Sequence, residues 1–164
     1  MALGAYDGLI RRLVLDAKRP AGEDGAMALG RLLAERRRQQ LLGCGETLVV
    51  PVPQHWRRRL SRRADGVGAL ARSIAGELRR PYAPALTRVR ATPRQTDVAP
   101  SDRSANVRRA FRARRRRRLS GICVLLVDDV LTTGATCHAA ALALKRAGAT
   151  RVVAVVAARR LATR

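Results

Sequence analysis

Residues 124–136 read VLLVDDVLTTGAT, an order of residue types that outlines a binding site. Four apolar residues end at two adjacent carboxylates, Asp128 and Asp129; after Val130 and Leu131 come Thr132, Thr133, Gly134, Ala135 and Thr136. Ligands of open α/β sheets bind outside the carboxyl ends of the strands, and the acidic pair falls there. The loop beyond it turns into a helix, so backbone N–H groups point outward and the helix dipole favours an anion. Gly134 lets the backbone approach a phosphate closely, and Thr132, Thr133 and Thr136 can each donate a hydroxyl. Adjacent carboxylates beside an anion site repel the ligand unless they accept hydrogen bonds from neutral hydroxyls, with a divalent cation nearby. A phosphorylated ribose meets both demands. The plainer reading, a βα turn with capping threonines, leaves this particular order of acids, threonines and glycine unexplained.

The elements that must position these residues follow from hydrophobic period. Residues 122–127 are a short apolar run and predict a buried strand; 135–147 predict a helix closed by Gly148; 151–157 (RVVAVVA) predict another strand. Strand, helix, strand is a βαβ unit, which implies a parallel sheet. Residues 47–52 (TLVVPV) predict a third parallel strand. Helical spacing of Tyr6, Leu9, Ile10, Leu13, Val14 and Ala17 predicts a first helix ending near Pro20. A second is expected over 26–40 with Met27, Leu29, Leu32 and Leu33 inward, and another over 65–78 with Val67, Leu70, Ile74 and Leu78 on one face. A short helix is expected from Ser101, a good N-cap. The fold class is therefore α/β, a central parallel sheet with helices on both faces, in a single domain over 1–164. Residues 86–119 are polar and basic, a candidate hood within it. Gly66-Val67-Gly68 fits a loose dinucleotide pattern, but no strand runs directly into it.

The order of residues in 124–136 resembles the phosphoribosyl pyrophosphate (PRPP) signature of type I phosphoribosyltransferases. The resemblance implies that Asp128 and Asp129 hold the ribose 2′- and 3′-hydroxyls and that residues 132–136 cradle the 5′-phosphate. It places the pyrophosphate against Val52, Pro53 and Gln54, with Mg²⁺ bridging its oxygens and no metal cage of protein side chains. Leu86, Arg88, Arg90, Thr92, Gln95, Arg103, Asn106 and Phe111 form the spaced pattern LxRxRxTxxQ…RxxNxxxxF. With Val50-Pro51-Val52-Pro53, Tyr6-Asp7-Gly8 and Lys18, this is similar to the ComF (competence protein F) family, which joins a phosphoribosyltransferase domain to a role in natural transformation. Gln95 and Arg103 are then hood candidates for contacts to the acceptor or a phosphate. Members commonly begin with a four-cysteine zinc-binding segment, which these residues do not contain. Where the family has Arg-Gly-aromatic-Asn/Asp, this chain has Arg62-Arg63-Ala64-Asp65: Arg62, a pyrophosphate-loop candidate, and Asp65 match, and the glycine and the aromatic do not.

Composition narrows the partners. Lys plus Arg is 34 against 12 Asp plus Glu, a net charge of +22, which attracts polyanions such as nucleic acid or phosphorylated substrates. Only Lys18 and Lys145 are lysines, an arginine bias of the kind a GC-rich genome produces; that bias does not explain the excess over acids. Aromatics are too few for a base-stacking platform, so DNA would be met through phosphates. Cys44, Cys123 and Cys137 match no metal spacing and read as unpaired thiols. No apolar run is long enough to span a bilayer and no basic leader precedes an apolar stretch, so a cytoplasmic location is expected. The resemblance leaves the acceptor unidentified and a homodimer open. The competing expectation is a non-catalytic PRPP sensor or nucleic-acid-binding accessory.

Overall fold

Residues 123–127 (CVLLV) are apolar and buried on both faces, which makes this segment the middle of a sheet. The computed structural model describes residues 1–19, 21–53, 65–89, 110–114 and 119–160. Strand β5 (Cys123–Leu131) pairs parallel on one side with β2 (Thr47–Pro51) and on the other with β6 (Arg151–Arg159), which pairs parallel with β1 (Ala2–Ala5). The order is β1-β6-β5-β2. Val124, Leu125, Leu126 and Val127 are fully buried, the mark of a parallel strand covered on both faces.

Side-chain alternation splits the core in two. Val49, Leu125, Val127, Val155 and Ala157 face a layer built from α1 (Gly8–Asp16), α2 (Glu23–Arg36), α3 (Arg38–Leu42) and α4 (Gly66–Leu78). Leu48, Val50, Val124 and Leu126 face α5 (Ala135–Arg146) and a small ribbon. Helices thus cover both faces, as the sequence pattern requires. Asp65 caps α4 by accepting a hydrogen bond from the Gly68 N–H at 3.1 Å, a cap that contributes about 1 kcal/mol. The ribbon pairs β3 (Leu86–Arg88) antiparallel with β4 (Phe111–Ala113) and seats Leu86 and Phe111 in the α5-side core. It joins residues 86–88 to residues 111–113 of the basic 86–119 segment.

The three expected strands lie parallel in one sheet. Four features differ from the sequence expectation. β5 continues through the acidic pair to Leu131, because Asp128, Val130 and Leu131 still find partners on β6. β1 was not expected: ALGA is too small and too short to show a period. The second helix starts at Glu23, with Glu23 and Asp24 in its first turn, and breaks at Arg37 before α3. Leu9, Met27 and Leu32 are exposed at 70%, 36% and 37%; the buried stripe of α2 is Ala26, Leu29, Gly30, Leu33 and Ala34, at i, i+3, i+4 spacing. The helix expected from Ser101 lies outside the described residues.

Candidate functional site

The connections out of β2 and β5 run in opposite directions. From β2 the chain passes through α4 to residues 81–83, which lie beside the outer edge of β2: the Val49 N–H donates to the Pro81 carbonyl at 2.9 Å, and the Ala83 N–H to the Val49 carbonyl at 3.0 Å. From β5 the chain passes through α5, on the other face, to β6. The carboxyl ends of β2 and β5 therefore flank a topological switch point, the place at which open α/β sheets form their ligand crevice. Val52 and Pro53 border it; the Val52 N–H donates to the Val127 carbonyl at 2.8 Å, one residue before Asp128.

Because β5 continues through the pair, Asp128 and Asp129 leave the strand on opposite sides. Asp128 turns toward α5. Its Oδ1 accepts from the Asp129 N–H at 2.9 Å, and its Oδ2 lies 3.9 Å from the Cys137 thiol. Asp129 turns toward α1, where Oδ2 pairs with Lys18 Nζ at 2.7 Å while Oδ1 accepts from the Val130 N–H at 2.7 Å. Burial, and next the Asp129 charge, push the Asp128 carboxyl up to about 7. Burial and then the Asp128 charge push the Cys137 thiol up to about 12, so it stays a proton donor to the carboxylate.

Thr132, Thr133 and Gly134 form the turn into α5. Gly134 sits at φ +77, a left-handed conformation that a side chain makes costly. Thr133 Oγ1 accepts from the Ala135 N–H at 3.4 Å. Thr132, Thr133 and Ala135 are exposed and Thr136 is half-buried. The turn thus presents two hydroxyls and the start of a helix to solvent, beside Asp128. Gln54, Arg62, Gln95 and Arg103 lie outside the described residues. The structure brings together Asp128, Asp129, the threonine loop, Val52 and Pro53. Lys18 and Cys137 join them; from sequence Lys18 is part of the family pattern and Cys137 an unpaired thiol, and neither is given a role at the site. One signal for Lys18 was available: it is one of two lysines in a chain whose other basic residues are arginine.

The raised Asp128 carboxyl has a consequence for stability. Its folded value exceeds that of an unfolded aspartate, roughly 3.9, so the stability it contributes is full below that value and is lost as pH rises through about 7. The wild-type protein is expected to lose stability relative to Asp128→Asn across this window in urea titrations at several pH values. A difference that is flat with pH would contradict the burial of this carboxyl.

A family model described as the phosphoribosyl transferase domain matches residues 21–164. Among solved structures, the chain is similar to the glutamine PRPP amidotransferase from B. subtilis complexed with ADP and GMP. The TM-score is 0.53 and the identity 26%, over 80% of this chain and 25% of that one. It is equally similar to a structure described as the allosteric regulatory enzyme of purine biosynthesis, with TM-score 0.53 and 26% identity over the same shares. The chain spans 25% of the length of these structures. No curated protein matches it.

Proposed function

Because this chain belongs to the phosphoribosyl transferase domain family, we propose that it binds PRPP with Mg²⁺ and transfers the phosphoribosyl group to an acceptor, releasing pyrophosphate. The observation that carries this reading is the acidic pair and threonine turn set together at the switch point between β2 and β5. The exposed turn offers N–H groups and hydroxyls to the 5′-phosphate. Asp128 is placed to accept hydrogen bonds from ribose hydroxyls beside it, and Asp129 to complete the pair. Val52 and Pro53 open the segment toward which the pyrophosphate lies.

In this reaction a nucleophile displaces pyrophosphate from C1 through an oxocarbenium-like transition state. The protein's part is to orient the reactants and to neutralise the leaving group. The donors at the crevice fit a cation carried on substrate phosphates rather than held in a cage: one of the two carboxylates is already committed to Lys18. When bound, Mg²⁺ supplies charge neutralisation on the pyrophosphate oxygens. The basic ribbon segment serves as hood over the acceptor, with Gln95 and Arg103 its candidate contacts.

The spaced arginine, glutamine and asparagine pattern supports the ComF type, and with it a link to DNA uptake. The ends of that pattern meet on the ribbon: Arg88 pairs in register with Phe111, its guanidinium 5.5 Å from the ring centroid. Calorimetry with PRPP and Mg²⁺, run beside a pyrophosphate-release assay over a panel of bases and anionic acceptors, tests the proposal. Heat with release assigns a transferase; heat without release assigns a PRPP sensor; no heat removes both. The net charge of +22 favours a second reading, sequence-independent DNA binding. Its anisotropy signal is expected to weaken with salt at a log–log slope of about −0.9 per phosphate contacted, and salt-insensitive binding removes it. Among the described residues no helix is long and apolar enough to cross a membrane.

A further inference from the structure

We infer that Lys18 is the residue that positions Asp129 and offsets its charge, so that the acidic pair can receive an anionic phosphoribosyl ligand. The inference rests on the PRPP reading above and adds a residue that lies ahead of the range the family model matches.

Two adjacent carboxylates next to a phosphate site face a ligand that is itself strongly anionic. Left alone, they repel both each other and the ligand. Among the described residues, Lys18 from beyond the end of α1 and Cys137 from α5 contact the pair, and the N-terminal ammonium acts on Cys137. Lys18 is the cation in contact with the pair, its Nζ 2.7 Å from Asp129 Oδ2. The pair is 40% and 29% exposed, so it is screened less than a surface pair. Val14, Ala17, Leu29, Val67 and Ala157 line an apolar hollow alongside Lys18 and Asp129, which strengthens the attraction further.

The backbone that carries Lys18 is held closely. The Ala17 N–H donates to the Leu13 carbonyl at 2.9 Å and the Lys18 N–H to the Leu15 carbonyl at 3.2 Å, which continues the turn of α1. The first residue of α4 presses against the same carbonyl group that joins Ala17 to Lys18: a Cβ on Gly66 would stand 2.5 Å from the Ala17 oxygen. Only glycine permits α4 to come so near. The start of α4 thus fixes Lys18, and Lys18 fixes Asp129 on the side of β5 opposite Asp128.

The test uses Lys18→Met and Lys18→Arg in the whole chain, with carboxyl NMR titration of the ligand-free protein and calorimetry with PRPP and Mg²⁺. Lys18→Met is expected to move the Asp128 titration upward, since the cation favours the charged pair. It is also expected to weaken PRPP binding by about tenfold to a hundredfold and to shift the acid limb of the affinity profile to higher pH. Lys18→Arg keeps the charge and is expected to restore most of both. A Lys18→Met protein that titrates and binds as wild type overturns the inference. So does weaker binding with an unmoved carboxyl titration, which would make Lys18 a direct ligand contact. If the wild-type protein itself fails to bind PRPP, the functional reading falls, and the carboxyl titration still decides whether Lys18 governs the pair.

Discussion

Asp128→Ala is expected to weaken Mg²⁺-dependent PRPP binding by about tenfold to a hundredfold, and Asp129→Ala by a similar factor. Each replacement removes a carboxylate acceptor for a ribose hydroxyl. One charge-assisted hydrogen bond is worth roughly 1.5–3 kcal/mol, and each 1.4 kcal/mol is about a factor of ten in affinity. Strand pairing with β6 runs through the Asp128 backbone, so loss of the carboxylate leaves that pairing in place. The Asp128 carboxyl is held up to about 7 by burial and then by Asp129. Wild-type affinity is therefore expected to rise as pH passes upward through that value, and the Asp128→Ala variant to lose this dependence. Calorimetry from about pH 6 to 8.5 reads both effects. Unchanged affinity in both alanine variants would falsify the assignment of the acidic pair to the ribose.

The largest stability effect is expected at Leu125. It is fully buried in the middle of β5, between β2 and β6, and faces the layer of α1, α2 and α4. Leu125→Ala removes apolar contacts and leaves a cavity that a strand bonded on both sides cannot close. Such changes cost about 2–5 kcal/mol, which lowers the folded-to-unfolded ratio by at least an order of magnitude. Leu9, also leucine but 70% exposed on α1, is expected to cost less than about 0.5 kcal/mol when truncated. Urea unfolding of the two variants side by side measures the difference. Equal costs at the two positions would contradict the placement of β5 as the central strand.

The parts of the fold legible in the sequence are those in which local pattern and tertiary role agree. β2, β5 and β6 are continuous apolar runs because parallel strands are covered on both faces, and that covering leaves a plain signature. The same runs identified the site, because ligand-binding residues of such sheets follow the strand ends. What escaped depends on partners far along the chain. β1 is strand only because β6 offers it hydrogen bonds. The apolar run stops at Asp128 and Asp129, which reads as the end of the strand; pairing of Val130 and Leu131 with Ala158 and Arg159 extends it and turns the two carboxylates to opposite faces. Lys18 meets Asp129 across more than a hundred residues of sequence, through a helix end and a close helix approach that no local period encodes. Leu9, Met27 and Leu32 fit an apolar helical spacing and are exposed, since periodicity identifies a stripe without marking its edges.

Soaking crystals with PRPP and Mg²⁺ tests the central claim most directly. The account predicts the 5′-phosphate at the Thr132–Gly134 turn and the start of α5, with the ribose hydroxyls on Asp128 and Asp129. It places the pyrophosphate beyond Val52 and Pro53. PRPP bound elsewhere on the surface, or a crevice between β2 and β5 that stays empty at saturating ligand, would contradict it.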